Sequence, residues 1–185
     1  MTVLTTLLHP RQSDDPVDGA RLNGLRAGVL GANDGIVSVA AIVVGVAGAT
    51  PGSTAILTAG IAGLVAGALS MAAGEYVSVS SQRDAERAGQ VADEDLVNPW
   101  HAAVASLGAF LVGGIVPVLV ALLPWGPAIV PAVFVAVVAA LVVTGAVSAR
   151  VGGAPVRPAV RRNVVGGSLA MVITYVIGAA VGLAV

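Results

Sequence analysis

Five long apolar runs, joined by short polar or Pro/Gly-containing connections, constrain this chain more than any other feature. They cover about residues 26–48, 55–78, 101–123, 128–149 and 163–185. A hydrocarbon core needs roughly 20 residues of apolar helix to cross it, and each run is that long. Lipid offers the backbone no hydrogen-bond partners, so helices that satisfy their own are the way to span it. Composition agrees: 10% of the residues are charged, against about 25% in a typical soluble domain. The 24 glycines fit a bundle in which small residues let backbones approach closely. The expected fold is an all-α membrane protein of five transmembrane helices.

Residues 1–20, with the stretch HPRQSDDPVDG, read as a flexible cytoplasmic tail. They lack the charged start and apolar core of a secretory signal. Residues 21–185 form the transmembrane domain, with a short cytoplasmic link at 85–98. Span two is expected to continue as helix beyond the interface through SSQRDAERA. Pro99 suits the first turn of span three, and Trp100 and Trp125 suit the two interfaces. Pro117 is expected to kink span three, and an Arg-rich loop from Arg150 to Arg162 leads into span five. His9 reads as a solvated tail residue and His101 as a surface residue.

The arginines orient the bundle. All nine basic residues are arginine, and all lie in the tail, the link between spans two and three, or the connection between spans four and five. The opposite turns, 49–54 and 124–127, carry no charge. Positive residues favour the cytoplasmic side, which puts the N-terminus in the cytoplasm and the C-terminus outside. Abundant Ala, Val and Gly with no lysine suggests a GC-rich bacterial gene, and with it a bacterial inner membrane.

Two carboxylates, Asp34 and Glu75, are the only acids within the spans. An acid at such a depth is costly and reads as functional. Asp34 lies about eight residues, roughly 12 Å, inside span one from its cytoplasmic end; Met71 lies about 10 Å inside span two from the same surface. They are therefore level in antiparallel neighbours. Glu75, four residues after Met71, shares its helix face about a turn nearer the cytoplasm. Carboxylate oxygens plus a thioether suit a transition-metal ion, and the soft sulfur is a ligand that a proton path would not need. Asn33, Ser38, Ser70 and Ser78 could add oxygens, although span hydroxyls commonly bond back to their own helix.

Other classes are weaker. With no cysteine, disulfides and thiolate chemistry are excluded. No HExxH, GxSxG or phosphate-loop motif supports an enzyme, and a net charge of −1 argues against a nucleic-acid partner. Besides metal transport, a proton-linked carrier of organic cations and a non-transporting membrane scaffold remain open. The spacings Gly24/Gly28, Gly31/Gly35, Gly63/Gly67 and Gly178/Gly182 are close-approach faces. Gly31 and Gly35 bracket Asp34, which suits a homodimer through span one; packing within one chain accounts for the same glycines. Arg157, Arg161 and Arg162 could meet anionic lipid head groups. Arg83, Asp84, Glu86 and Arg87 have the spacing of ion pairs on a solvated helix end.

The segments LRAGVLGANDGIVS (Leu25–Ser38), SMAAGEYVSVSSQRDAE (Ser70–Glu86) and NPWHAA (Asn98–Ala103) resemble the vacuolar iron transporter family, over essentially the whole chain. The resemblance implies a five-span dimer with a pore between its two copies of span one. It also implies that ferrous iron leaves the cytosol in exchange for protons, as cargo with no resident cofactor. It matches Asp34 and Met71 to the membrane metal site and Glu75 to the acid beneath it. One departure is large. Family members commonly carry a glutamate-rich cytoplasmic domain between spans two and three, and here about a dozen residues separate Glu86 from Pro99. The chain is either a natural short member or a form from which that domain was removed.

Overall fold

The computed structural model describes residues 19–92 and 96–184, with side chains from residue 24 onward. Of the tail expected at 1–20, residues 1–18 with His9 lie outside the described residues, as do the link acids Asp93, Glu94 and Asp95 and Val185, while residues 19 and 20 already belong to the first helix. Five helices follow: α1 (Gly19–Ala49), α2 (Ser53–Ala88), α3 (Pro99–Ala121), α4 (Ile129–Val151) and α5 (Val156–Ala184), with a 3-10 turn at Gly126–Ala128 before α4. All five are long and apolar enough to cross a membrane. Their outer faces carry exposed aliphatics such as Val104, Val112, Val135 and Val176, a surface that water would not tolerate and lipid accepts.

α1 is the axis of the bundle. It touches all four other helices, which follow one another around it: α2 against α3, α3 against α4, α4 against α5. Its Ile36, Val39, Val43 and Val44 are buried together with Leu64 of α2, Phe110 of α3, Val137 and Leu141 of α4, and Met171 of α5.

Reciprocal glycines hold this axis in place. A Cβ on Gly31 would lie 2.6 Å from the Ser106 carbonyl oxygen, and one on Gly35 would collide with the Phe110 oxygen. In return, a Cβ on Gly113 would strike the Ala32 oxygen. At the other end of α1, Gly48 faces the Tyr175 oxygen, while Gly178 and Gly182 of α5 sit on the backbone of Gly45 and Ala49. Backbone-to-backbone packing of this kind gains dispersion contacts that lipid cannot match. Gly31 and Gly35 are thus occupied by α3 of the same chain and are not available to a second copy. The Gly24/Gly28 pair, by contrast, has nothing within 4 Å of either position.

Local chemistry explains most boundaries. The Asn98 side chain caps α3, accepting from the backbone N–H of Trp100 at 3.0 Å and of His101 at 3.3 Å, with Pro99 at the first helical position. That satisfies donors every helix start leaves open. α3 runs through Pro117 unbroken as helix. α2, at 36 residues, is about 54 Å long, well beyond a hydrocarbon core, so its last turns project from the membrane as expected.

Two expectations are corrected. The loop expected from Arg150 to Arg162 shrinks to residues 152–155, and Arg157, Arg161 and Arg162 lie in the first turns of α5. Pro158 does not break α5, because first-turn N–H groups have no helical partner to lose. The ion pairs suggested by the spacing of residues 83–87 are not formed. Glu86 instead accepts from Gln82 Nε2 at 2.9 Å and from the Val97 backbone N–H at 3.1 Å. With the small cluster of Ala27, Val79, Val97 and Ala102, that contact ties the link to the starts of α1 and α3.

Candidate metal site

Asp34, Met71 and Glu75 line one cavity of about 300 Å³, together with Leu30, Ser38, Gly67, Ser70, Gly74 and Phe110. α1 supplies Asp34 through the stripe Leu30–Asp34–Ser38, spaced four apart on one face. α2 supplies Met71 and Glu75 by the same spacing. α3 supplies a floor: Phe110 is buried, and its ring would meet any Cβ placed on Gly67. The absence of a side chain at Gly67 admits the Phe110 ring, and Gly74, with nothing within 4 Å of a Cβ there, leaves space open beside Glu75.

Glu75 is 6% exposed, and its Oε1 accepts from Arg26 Nη2 of α1. It is thus nearer the start of α1 than Asp34 is. Among the described residues this is the one ion pair, and the Asp34 carboxylate has no hydrogen-bond or ion-pair partner among them. Its backbone oxygen accepts from Ser38 Oγ at 2.5 Å, so the serine proton is committed to its own helix while the hydroxyl oxygen borders the cavity. Tyr76, next to Glu75, packs on Trp100 with ring centroids 4.8 Å apart.

The other expected oxygen donors divide. Ser70 borders the cavity with Ser38. Asn33 does not: it lines a separate groove of about 360 Å³ between α1, α4 and α5, where its Oδ1 is buried without a partner. Ser78 borders no described cavity, and His101 is exposed at the α3 start. Among the described residues no group of three or more His, Cys, Asp or Glu comes together. One chain therefore presents two carboxylates and a thioether, with two hydroxyls at the edge.

The VIT family profile matches residues 25–96 and 86–179, two stretches that meet in the link between α2 and α3. This chain belongs to the VIT family. Among its relatives, vacuolar iron transporter homolog 2 of Oryza sativa subsp. japonica is 44% identical over 172 residues, covering 85% of this chain and 90% of that protein. Vacuolar iron transporter homolog 1 of Arabidopsis thaliana is 44% identical over 163 residues, covering 84% and 82%. Vacuolar iron transporter homolog 1 of the same rice is 46% identical over 170 residues, covering 84% and 73%.

VIT family membership and these relatives support metal transport across a membrane. The alignment with the first rice protein leaves no room there for a large extra domain, so a short α2–α3 link is found in natural proteins. The relatives are plant proteins named for the vacuole, and the expectation of a bacterial inner membrane is not borne out. Within this VIT chain, sequence reasoning missed Arg26 and Phe110 as neighbours of the site. Arg26 could have been found: it lies two turns before Asp34 on the same face, and Glu75 falls about a turn below Asp34 on the neighbouring helix. A long guanidinium side chain bridges that last turn. Phe110 carries no such signal, because nothing in the α3 sequence marks which aromatic meets Gly67.

Proposed function

We propose that this protein is a homodimeric carrier that moves a divalent transition metal, Fe²⁺ first among the candidates, out of the cytoplasm in exchange for protons. Asp34 and Met71 bind the ion, and Glu75 receives it from the cytoplasmic side and takes part in proton coupling. The metal is cargo, and no covalent chemistry is involved. The observation that carries the reading is the single cavity shared by Asp34, Met71 and Glu75: Asp34 lies 37 positions before Met71 and 41 before Glu75, and two antiparallel helices bring it beside both. Sulfur beside carboxylate favours a softer divalent ion over Mg²⁺ or Ca²⁺, which prefer all-oxygen shells.

The arginines, which gather at the end of the bundle nearer Glu75, support a cytoplasmic placement of that end, and export is the direction in which Glu75 meets the ion first. The homodimer rests on the family resemblance; the Gly31/Gly35 face of α1 is taken by α3, so each copy keeps its own cavity of Asp34, Met71 and Glu75, with water completing the shell of the ion. The test is Fe²⁺ uptake into proteoliposomes with internal pH recorded. Metal movement coupled to opposite proton movement is expected. Proton movement driven by organic cations without metal uptake would establish the carrier alternative, and no flux of either kind would favour a scaffold.

A further inference from the structure

Arg26 is the charged residue of the site to which the transport reading gives no task. It is the partner of Glu75, and the two are exposed very unequally: half for the arginine side chain and 6% for the carboxylate. The arginine can therefore turn out toward the water or head-group layer at little cost, as long basic side chains do near helix ends. The glutamate cannot follow, because helix α2 holds it against α1. The pair is hinged on one side.

The charges make this consequential. Asp34 and Glu75 with Arg26 in place sum to −1, so a divalent ion added beside them would leave +1 in a low-dielectric cavity. With Arg26 turned out, the two carboxylates balance a divalent ion fully. The guanidinium also occupies Glu75 Oε1, an oxygen the metal needs. An empty cavity without Arg26 would hold two uncompensated carboxylates at membrane depth, which is costly. We propose that Arg26 is a tethered counter-ion: it fills the Glu75 position in the metal-free protein, is exchanged for the cation on loading, and returns to help expel it. Arg26 thereby sets the affinity of the site and its rate of emptying. This rests on the assignment of Asp34, Met71 and Glu75 as the metal site.

The test uses the full chain in detergent and in proteoliposomes, with Co²⁺ as an oxidation-stable probe. Phenylglyoxal modification of Arg26, read by mass spectrometry with exposed Arg150 as internal reference, should accelerate when Co²⁺ binds to the wild-type protein. Arg26→Gln should bind Co²⁺ about tenfold more tightly, since no ion pair opposes the metal. It should show both a lower KM and a lower maximal rate of uptake. Arg26→Lys, which keeps the tethered charge, should stay near wild-type affinity. Unchanged or slowed Arg26 modification in protein that binds Co²⁺ overturns the exchange, and this arm decides even if Arg26→Gln fails to fold. Unchanged or weaker Co²⁺ binding by folded Arg26→Gln overturns it as well. Failure of the underlying site looks different: wild-type protein that binds no Co²⁺, or Asp34→Asn protein that binds it as wild type does, removes the metal site and the exchange together.

Discussion

Two glycines with the same sequence appearance should respond to alanine in opposite ways. At Gly35 the added Cβ would overlap the Phe110 carbonyl oxygen and sit 3.0 Å from the Gly114 nitrogen. Both are backbone atoms of α3, so no side chain can swing aside and the two helices must part. Overpacking of a tight contact costs about 1–3 kcal/mol, and alanine returns up to about 1 kcal/mol of helix propensity over glycine. The net expectation for Gly35→Ala is a loss of up to about 2 kcal/mol. For a chain of this size that lowers the thermal midpoint by up to about 8 °C. At Gly28 nothing lies within 4 Å, so Gly28→Ala keeps only the propensity gain and should match or exceed wild type. Thermal unfolding of both variants in one detergent makes the comparison. Because Asp34 adjoins Gly35, metal uptake by Gly35→Ala should fall as well. A Gly35→Ala midpoint at or above that of Gly28→Ala would refute the account of α1 as an axis locked by glycine.

Asp34→Asn keeps size and an oxygen but removes the charge that offsets a divalent ion; transport should fall to background in a protein that still folds, and wild-type uptake would end its role as ligand. Met71→Leu keeps apolar volume at a cost below about 1.5 kcal/mol, so it should stay folded while transition-metal transport drops and Mg²⁺ competes relatively better. Unchanged affinity and selectivity would make Met71 a packing residue. A cysteine at Ser53 should react with an impermeant thiol reagent from outside and one at Ala154 only after permeabilisation, a reading made clean by the absence of native cysteine; the reverse pattern would overturn the orientation and the export direction.

Much of the bundle was legible because lipid imposes a length. Twenty-odd apolar residues at a time can only be spans, and antiparallel neighbours of known rise place Asp34 level with Met71 by counting. What counting does not give is rotation. Asn33 is adjacent to Asp34 in sequence, and only the packing of α1 decides that Asp34 meets α2 while Asn33 turns toward α4 and α5. Rotation also decided the glycines: Gly31 and Gly35 suit a two-fold contact on paper and are used by α3 in the fold. The α5 start was misplaced for a different reason. Three arginines and Pro158 resemble a loop, yet a first turn tolerates proline and a cytoplasmic helix end welcomes charge. Arg26 was read only as a topology signal, because pairing across 49 positions depends on which face each helix presents.

The central claim is that Asp34, Met71 and Glu75 hold a transition metal. Anomalous scattering from crystals of the protein grown with Co²⁺ or with Fe²⁺ kept reduced tests it most directly. The account predicts a peak in the α1–α2 cavity, between the Asp34 carboxylate and the Met71 sulfur, that disappears in Asp34→Asn crystals grown alike. A metal-saturated, transport-competent protein with no peak in that cavity, or with its peak elsewhere in the bundle, would contradict it.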